Sequence, residues 1–135
     1  MADLYISVDI EADGPIPGSY SMLAFGLAVA ATFDGKTFTP RVPTAATLYR
    51  ALKPITGEFD PAAVAVSQLD RDRLAREGAD PAVAMRDAAN WLRAQAAGAE
   101  LVMVGYPVMF DWMFIHWSFV NFAGACPFGF SGLWT

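Results

Sequence analysis

The sequence is poor in several residue types whose abundance would point to a definite class of protein. Its 135 residues include one cysteine, Cys126, so an internal disulfide framework is excluded, and this usage favours a reducing cytoplasm. Nine basic residues stand against fourteen acidic ones, for a net charge of −5. A protein that binds nucleic acid through a broad basic surface is therefore excluded. Any polyanion must be met by bound cations or by a local cluster of basic side chains.

The C-terminal region lacks charge almost completely. Residues 112–135 contain no Asp, Glu, Lys or Arg, and this run is long enough to span a membrane. Pro127 and the glycines at 124, 129 and 132 interrupt its second half, which favours a buried helix followed by an apolar loop. The N-terminus, MADLYISVDIEADG, has neither the basic region nor the apolar core of a secretory signal. We therefore predict no membrane association.

The apolar pattern predicts a single α/β domain. Strands are expected at residues 4–10, 21–32, 37–40 and 47–53, and a short, wholly apolar strand at residues 101–104. The order of these strands predicts an antiparallel meander, followed by a crossover to a parallel strand of the same mixed sheet.

Three helices are expected to flank this sheet. Ser67-Gln68-Leu69-Asp70 has the spacing of a capping box before a helix that ends at Gly78. Asp80-Pro81 begins a second helix that ends at Gly98, and the third covers residues 110–122. The arginines of the first two helices are predicted to lie on a solvated face; they are Arg71, Arg73, Arg76, Arg86 and Arg93.

Two carboxylates lie on one face of the first predicted strand, in the stretch ISVDIEADGP. Asp9 and Glu11 are two residues apart, so they project from the same face, roughly 7 Å apart along the strand. Carboxylates that close repel each other unless a cation lies between them. A solvent-facing strand with two harmless charges is the alternative. Because a turn follows at Ala12-Asp13-Gly14-Pro15, the pair marks a strand end, where α/β folds gather ligands.

A third acid, Asp111, interrupts the most apolar part of the chain. It follows the buried strand at residues 101–104 and opens the last predicted helix, so it could simply complement the helix dipole. If the first and the parallel strand are neighbours, however, its carboxylate can approach Asp9 and Glu11. Three convergent carboxylates with one or two Mg²⁺ ions suit phosphodiester hydrolysis.

These stretches resemble motifs of the DEDD 3'-5' exonucleases. SVDIEADGP resembles the first motif, Asp-x-Glu, and MFDWMF, with Phe110-Asp111, resembles the second. AVSQLDRDRLAREGADPAVAM resembles the segment between them, and the resemblance runs from about residue 4 to about residue 130. It implies a ribonuclease H-like fold, two divalent metals (Mg²⁺ or Mn²⁺) and removal of nucleotides from the 3' end of DNA or RNA.

The resemblance also implies roles for individual residues. Asp9, Glu11 and Asp111 match the metal-binding catalytic acids. The backbone of Ala12, Asp13 and Gly14 is expected near the terminal nucleotide, and Leu69 against its base.

The chain departs from the family pattern after its second motif. Pro107 stands where the family has an asparagine, and no aspartate follows Asp111. The sole histidine, His116, lies inside the last predicted helix, where we expect it to be packed rather than catalytic. Residues 1–135 are therefore predicted to form an incomplete domain that lacks a C-terminal strand and helix, and a frameshift near FGFSGLWT is one hypothesis for this.

Two consequences are expected from such an incomplete domain. We expect little or no nuclease activity from this chain alone. We also expect an exposed apolar face over residues 110–130 that lowers solubility and through which copies could associate. Two other functions remain open: a non-catalytic module that binds nucleic acid or a partner, and a structural protein in which the three acids serve solubility and helix capping.

Overall fold

A mixed β-sheet and four helices make up the described part of the chain, residues 2–42, 44–129 and 133–134 of a computed structural model. The strands are β1 (Asp3–Ala12), β2 (Met22–Phe33), β3 (Phe38–Pro40), β4 (Thr47–Ala51), β5 (Glu100–Val104) and β6 (Leu133–Trp134). The helices are α1 (Pro61–Ser67), α2 (Arg71–Glu77), α3 (Pro81–Ala96) and α4 (Val108–Ala123).

The sheet has the predicted mixed topology. Its strand order is β3-β2-β1-β5-β6, and β4 also pairs with β2. The β1, β2 and β4 strands form the antiparallel part, whereas β5 runs parallel to β1. The predicted α/β fold with an antiparallel meander and a parallel strand is therefore confirmed. At the edge of the sheet, the two residues of β6 pair in parallel with β5.

The alternation in β1 separates a core face from an outer face. Leu4, Ile6, Val8 and Ile10 are buried, whereas Ser7 and Asp9 are exposed. Ile10 and Val8 lie opposite Phe25 and Leu27 of β2. All four belong to one core cluster with apolar side chains of α3 and α4. Burial of one face therefore fixes the register of β1 and places Asp9 and Glu11 on the other face.

Asp-Pro pairs begin two of the helices. Asp80 accepts a hydrogen bond from Ala82 N–H at 2.8 Å and Pro81 follows, as predicted for α3. Asp60-Pro61 begins α1 in the same way, a helix that the sequence prediction omits. Ser67 is the last residue of α1 and not a helix cap, which corrects the predicted capping box. The cap of α2 is Asp70, whose carboxylate accepts a hydrogen bond from Arg73 N–H.

Helix α4 carries both a buried face and an exposed apolar face. Phe114, Ile115 and Phe119 are fully buried. On the outer side, a groove of about 710 Å³ is lined mainly by apolar side chains of α4, among them Met109 and Met113. Part of the predicted apolar face is therefore present, although Phe130 lies outside the described residues. Within those residues, α4 and the other helices are too short or too polar to cross a bilayer.

Candidate functional site

The C-terminal end of β1 extends past its parallel neighbour. The β1–β5 pairing ends at Ser7 opposite Val104, whereas β1 continues to Ala12. On the other side, Asp9 and Glu11 remain paired with Gly26 and Ala24 of β2. The β1 segment that carries both acids therefore has one edge beyond the reach of β5.

Asp111 fills part of this edge. It lies in the first turn of α4, and its Oδ1 accepts a hydrogen bond from Ile10 N–H at 3.2 Å. Ile10 lies between Asp9 and Glu11 in the chain, so the three acids come together at the end of β1. Gly105 makes room for this contact, because a Cβ there would lie 2.7 Å from Asp111 Oδ2. The Asp111 side chain thus bonds to β1 and not to the start of its own helix.

Burial and mutual repulsion perturb two of these acids. Asp111 is only 4% exposed, and its burial, with smaller contributions from the charges of Asp9 and Glu11, raises its pKa to about 6. The hydrogen bond from Ile10 opposes this rise. Burial, followed by the charge of Asp9, also raises the pKa of Glu11. The site therefore concentrates negative charge that only a proton or a cation can offset.

The donor atoms fit a hard divalent cation in type and charge. Carboxylate oxygens are preferred ligands of Mg²⁺ and Mn²⁺. Among the described residues, however, no three His, Cys, Asp or Glu side chains are arranged as ligands of one ion. Asp111 instead holds the backbone of β1.

Two clefts meet at Glu11. One, of about 360 Å³, is lined by Glu11, Ala12 and Gly14 together with residues of α1 and Phe110. The other, of about 250 Å³, is lined by Asp9, Glu11 and Leu69 together with residues of β2 and β4. The predicted substrate-contacting residues Ala12, Gly14 and Leu69 therefore border the acids on both sides.

Asp13 differs from its neighbours because it has no exposed surface. Its carboxylate accepts hydrogen bonds from Ser21 N–H at 2.6 Å and from Arg71 Nε at 2.8 Å. Its backbone N–H donates to the Ser21 carbonyl and its carbonyl accepts from Asp60 N–H. Asp13 therefore holds the turn after β1, and its contact with a nucleotide stays a prediction together with those of Ala12 and Gly14.

Arg71 corrects the predicted solvated face of α2. Its side chain is only 14% exposed, because it pairs with Asp13 and donates to the Thr56 carbonyl at 2.6 Å. Its guanidinium also lies 4.9 Å from the centre of the Phe59 ring. No local sequence signal distinguishes Arg71 from the other arginines, since its partners are distant in the chain. His116 is stacked on Trp112 within α4, 4.7 Å between ring centres, in line with a packed histidine.

The raised pKa of Asp111 predicts a pH-dependent stability. Between the ordinary aspartate pKa near 4 and about 6, the folded state binds a proton that the unfolded state releases. The free energy of unfolding should therefore fall as pH rises through this window, by about 2–3 kcal/mol. Asp111→Asn retains the acceptor oxygen without the charge.

We expect the Asn variant to be more stable than the parent at pH 8 and less dependent on pH. Urea unfolding between pH 4 and pH 8 in a chelating buffer measures both quantities. Equal slopes for the two proteins would contradict this interpretation of Asp111.

Comparisons with known proteins agree with the motifs and the fold. The chain is 38% identical over 132 residues to the 3'-5' DNA exonuclease Cap18 of Escherichia coli. The aligned region covers 97% of this chain and 65% of that protein. A product-bound structure of exonuclease I superimposes with a TM-score of 0.65 at 15% identity, over 98% of this chain and 29% of that one.

A zinc-bound complex of E. coli exonuclease I with single-stranded DNA is also similar, with a TM-score of 0.62 and 15% identity over 88% of this chain and 24% of that one. No family model matches the sequence. The chain thus spans about two thirds of its curated relative and about a quarter of each exonuclease I chain. The likeness to exonuclease I confirms the ribonuclease H-like fold.

Proposed function

We propose that this chain, which is 38% identical to a 3'-5' DNA exonuclease and carries motifs that resemble the DEDD family, is the acid-bearing part of a metal-dependent exonuclease acting on 3' ends. The observation that supports this proposal is the bond from Ile10 N–H to Asp111, since Ile10 lies between Asp9 and Glu11 in the chain.

We propose that Asp9, Glu11 and Asp111 hold the divalent cations, either Mg²⁺ or Mn²⁺. When bound, such ions supply an activated water and neutralise charge on the leaving oxygen. The chain's own contribution is to hold three oxygen-donor groups at one strand end. Asp9 is exposed and accessible to an ion, whereas one carboxylate oxygen of Asp111 accepts a hydrogen bond from the backbone of β1.

We propose single-stranded DNA as the substrate. Cap18 is named for DNA, and the zinc-bound exonuclease I structure contains single-stranded DNA. In this chain the terminal nucleotide would lie along Ala12 and Gly14, with Leu69 against a base in the neighbouring cleft. Residues 1–135 are proposed to be one incomplete domain, because no aspartate follows Asp111 and the sole histidine, His116, lies inside α4, so turnover should be low.

The test is shortening of a single DNA strand labelled at its 5' end. With Mg²⁺ or Mn²⁺ and protein in excess over the strand, we expect slow, stepwise shortening from the 3' end, absent in EDTA and blocked when the 3'-terminal linkage is a phosphorothioate. An RNA strand of the same sequence measures sugar preference. Tight binding in EDTA without any shortening would instead support the non-catalytic binding module.

Self-association remains a proposal. The apolar groove on α4 offers a surface for it, since Met109 and Val120 are exposed there beside Trp112 and Trp117. Sedimentation at several protein concentrations would detect it.

A further inference from the structure

One row of residues runs across the outer face of the sheet from the acids to an aromatic ring. Asp9 of β1 lies opposite Gly26 of β2, and Gly26 lies opposite Tyr49 of β4. Neighbouring strands are about 4.8 Å apart, so the backbones of Asp9 and Tyr49 are separated by about 10 Å. This is the scale of one nucleotide between its phosphate and its base.

The middle position of this row has no side chain. A Cβ at Gly26 would lie 3.9 Å from Tyr49 Cδ1 and 4.0 Å from the Asp9 carbonyl oxygen. The ring of Tyr49 therefore borders the gap above Gly26, and Asp9 borders it from the other side. Asp9, Gly26 and Tyr49 together line two adjoining clefts, one of which also contains Leu69. The surface above Gly26 is therefore an open space bordered by Asp9 on one side and by the ring of Tyr49 on the other.

Tyr49 is unusual among the larger apolar and aromatic side chains of the sheet, because it is 58% exposed beside the acids. Phe38, which is 57% exposed, lies on β3 opposite Phe33, and Phe33 pairs with Asp3 at the far end of β1. Exposure alone therefore does not distinguish the two rings. Their positions do, since only Tyr49 shares a cleft with Asp9, Glu11 and Leu69.

We propose that Tyr49 is a stacking platform for a nucleobase of the bound strand, an inference that rests on the proposed function. The base lies on the ring above Gly26, with its backbone directed toward Asp9, and Leu69 contacts it from the other wall of the cleft. Stacking suits this chain because its net charge of −5 gives little electrostatic attraction for a polyanion. Every base has a π-face, so the contact gives affinity without sequence preference.

The test combines a change in the protein with a change in the ligand. Binding of a fluorescent oligothymidine is measured by anisotropy in Ca²⁺ at low ionic strength, with strand integrity checked afterwards. The same measurement uses a strand of equal length made of abasic residues. We expect Tyr49→Ala to weaken oligothymidine binding about 5- to 150-fold, the value of one lost base stack. Abasic strands should bind equally to the parent and to the variant.

Two further variants serve as controls. Tyr49→Phe keeps the ring and should bind like the parent, whereas Phe38→Ala removes an equally exposed ring from the far end and should also change nothing. Circular dichroism verifies folding, and Tyr49→Leu replaces Tyr49→Ala if the latter unfolds. Equal oligothymidine binding by the parent and Tyr49→Ala, an equal loss on abasic strands, or no preference of the parent for base-bearing strands would each overturn the proposal.

These outcomes are separate from those for the exonuclease. If shortening depends on Asp9 but Tyr49→Ala binds oligothymidine like the parent, the stacking proposal is wrong and the exonuclease proposal stands. If binding depends on the bases and on Tyr49 but no strand is shortened, the stacking proposal stands and the exonuclease proposal is wrong.

Discussion

Replacement of Asp9 by asparagine should abolish metal-dependent function. Asp9 is the exposed member of the three acids, and the change removes one negative charge from the proposed ligand set while preserving shape. Loss of a group that only orients a metal ligand costs 10- to 100-fold, so loss of a ligand itself should lower the shortening rate at least about 100-fold.

A second measurement is independent of turnover. Saturating Mg²⁺ or Mn²⁺ should raise the Tm of the parent, because a cation that binds only the folded state adds about 2.7 kcal/mol at 100 times its Kd. For a domain of this size that corresponds to roughly 5–10 °C. Asp9→Asn should lose most of this shift.

The matched control for Asp9 is Asp3→Asn at the opposite end of the same strand. Asp3 pairs with Phe33 and Glu100, far along β1 from the clefts. The Asp3→Asn variant should retain both the shortening rate of the parent and its metal-induced Tm shift. Equal metal-induced shifts in the parent and Asp9→Asn would show that the ions bind elsewhere.

Replacement of Arg71 by methionine should destabilise the fold more than any other single change considered above. Asp13, with no exposed surface, would lose its only charged partner in the described structure, and the Thr56 carbonyl would lose a donor. Removing one partner of a buried ion pair costs about 3–5 kcal/mol, because the other charge is left uncompensated. Urea unfolding at pH 7 would measure this change.

Two comparisons assign the loss to the buried pair. Arg73→Met removes the pair with Glu77, whose side chains are 68% and 61% exposed, and should leave the unfolding midpoint unchanged. Asp13→Asn combined with Arg71→Met should cost less than the sum of the single changes, since no charge remains buried. Strict additivity would mean that Asp13 and Arg71 do not interact.

Elements with strong local signals were predictable from the sequence. The alternation of Ile6, Val8 and Ile10 with polar residues identifies β1 and its two faces, and the run at residues 101–104 identifies the parallel strand. These patterns need no knowledge of distant residues, because burial of one face determines them. Helix α1 had an equally local signal in Asp60-Pro61, but its seven residues fell below the length at which a periodic pattern is recognised.

The candidate site was predictable only in part. The spacing of Asp9 and Glu11 placed them on one face, and the position of Asp111 after the buried strand indicated that it could approach them. The resemblance then pointed to the same three acids. The contact of Asp111 with Ile10 N–H joins residues 101 positions apart in the chain, and it depends on where β5 stops relative to β1. The position of Tyr49 depends in the same way on two strand pairings through Gly26. The register between distant strands cannot be predicted from a short stretch of sequence.

The position of Glu11 on the border of both clefts has a consequence for the shape of the ligand. A strand that occupied the two clefts together would have to turn sharply over this side chain, within the length of one or two nucleotides. Duplex DNA resists such curvature, since its persistence length is about 150 base pairs. Unpaired DNA turns freely, so a ligand that enters both clefts at Glu11 is expected to be single-stranded where it crosses this side chain.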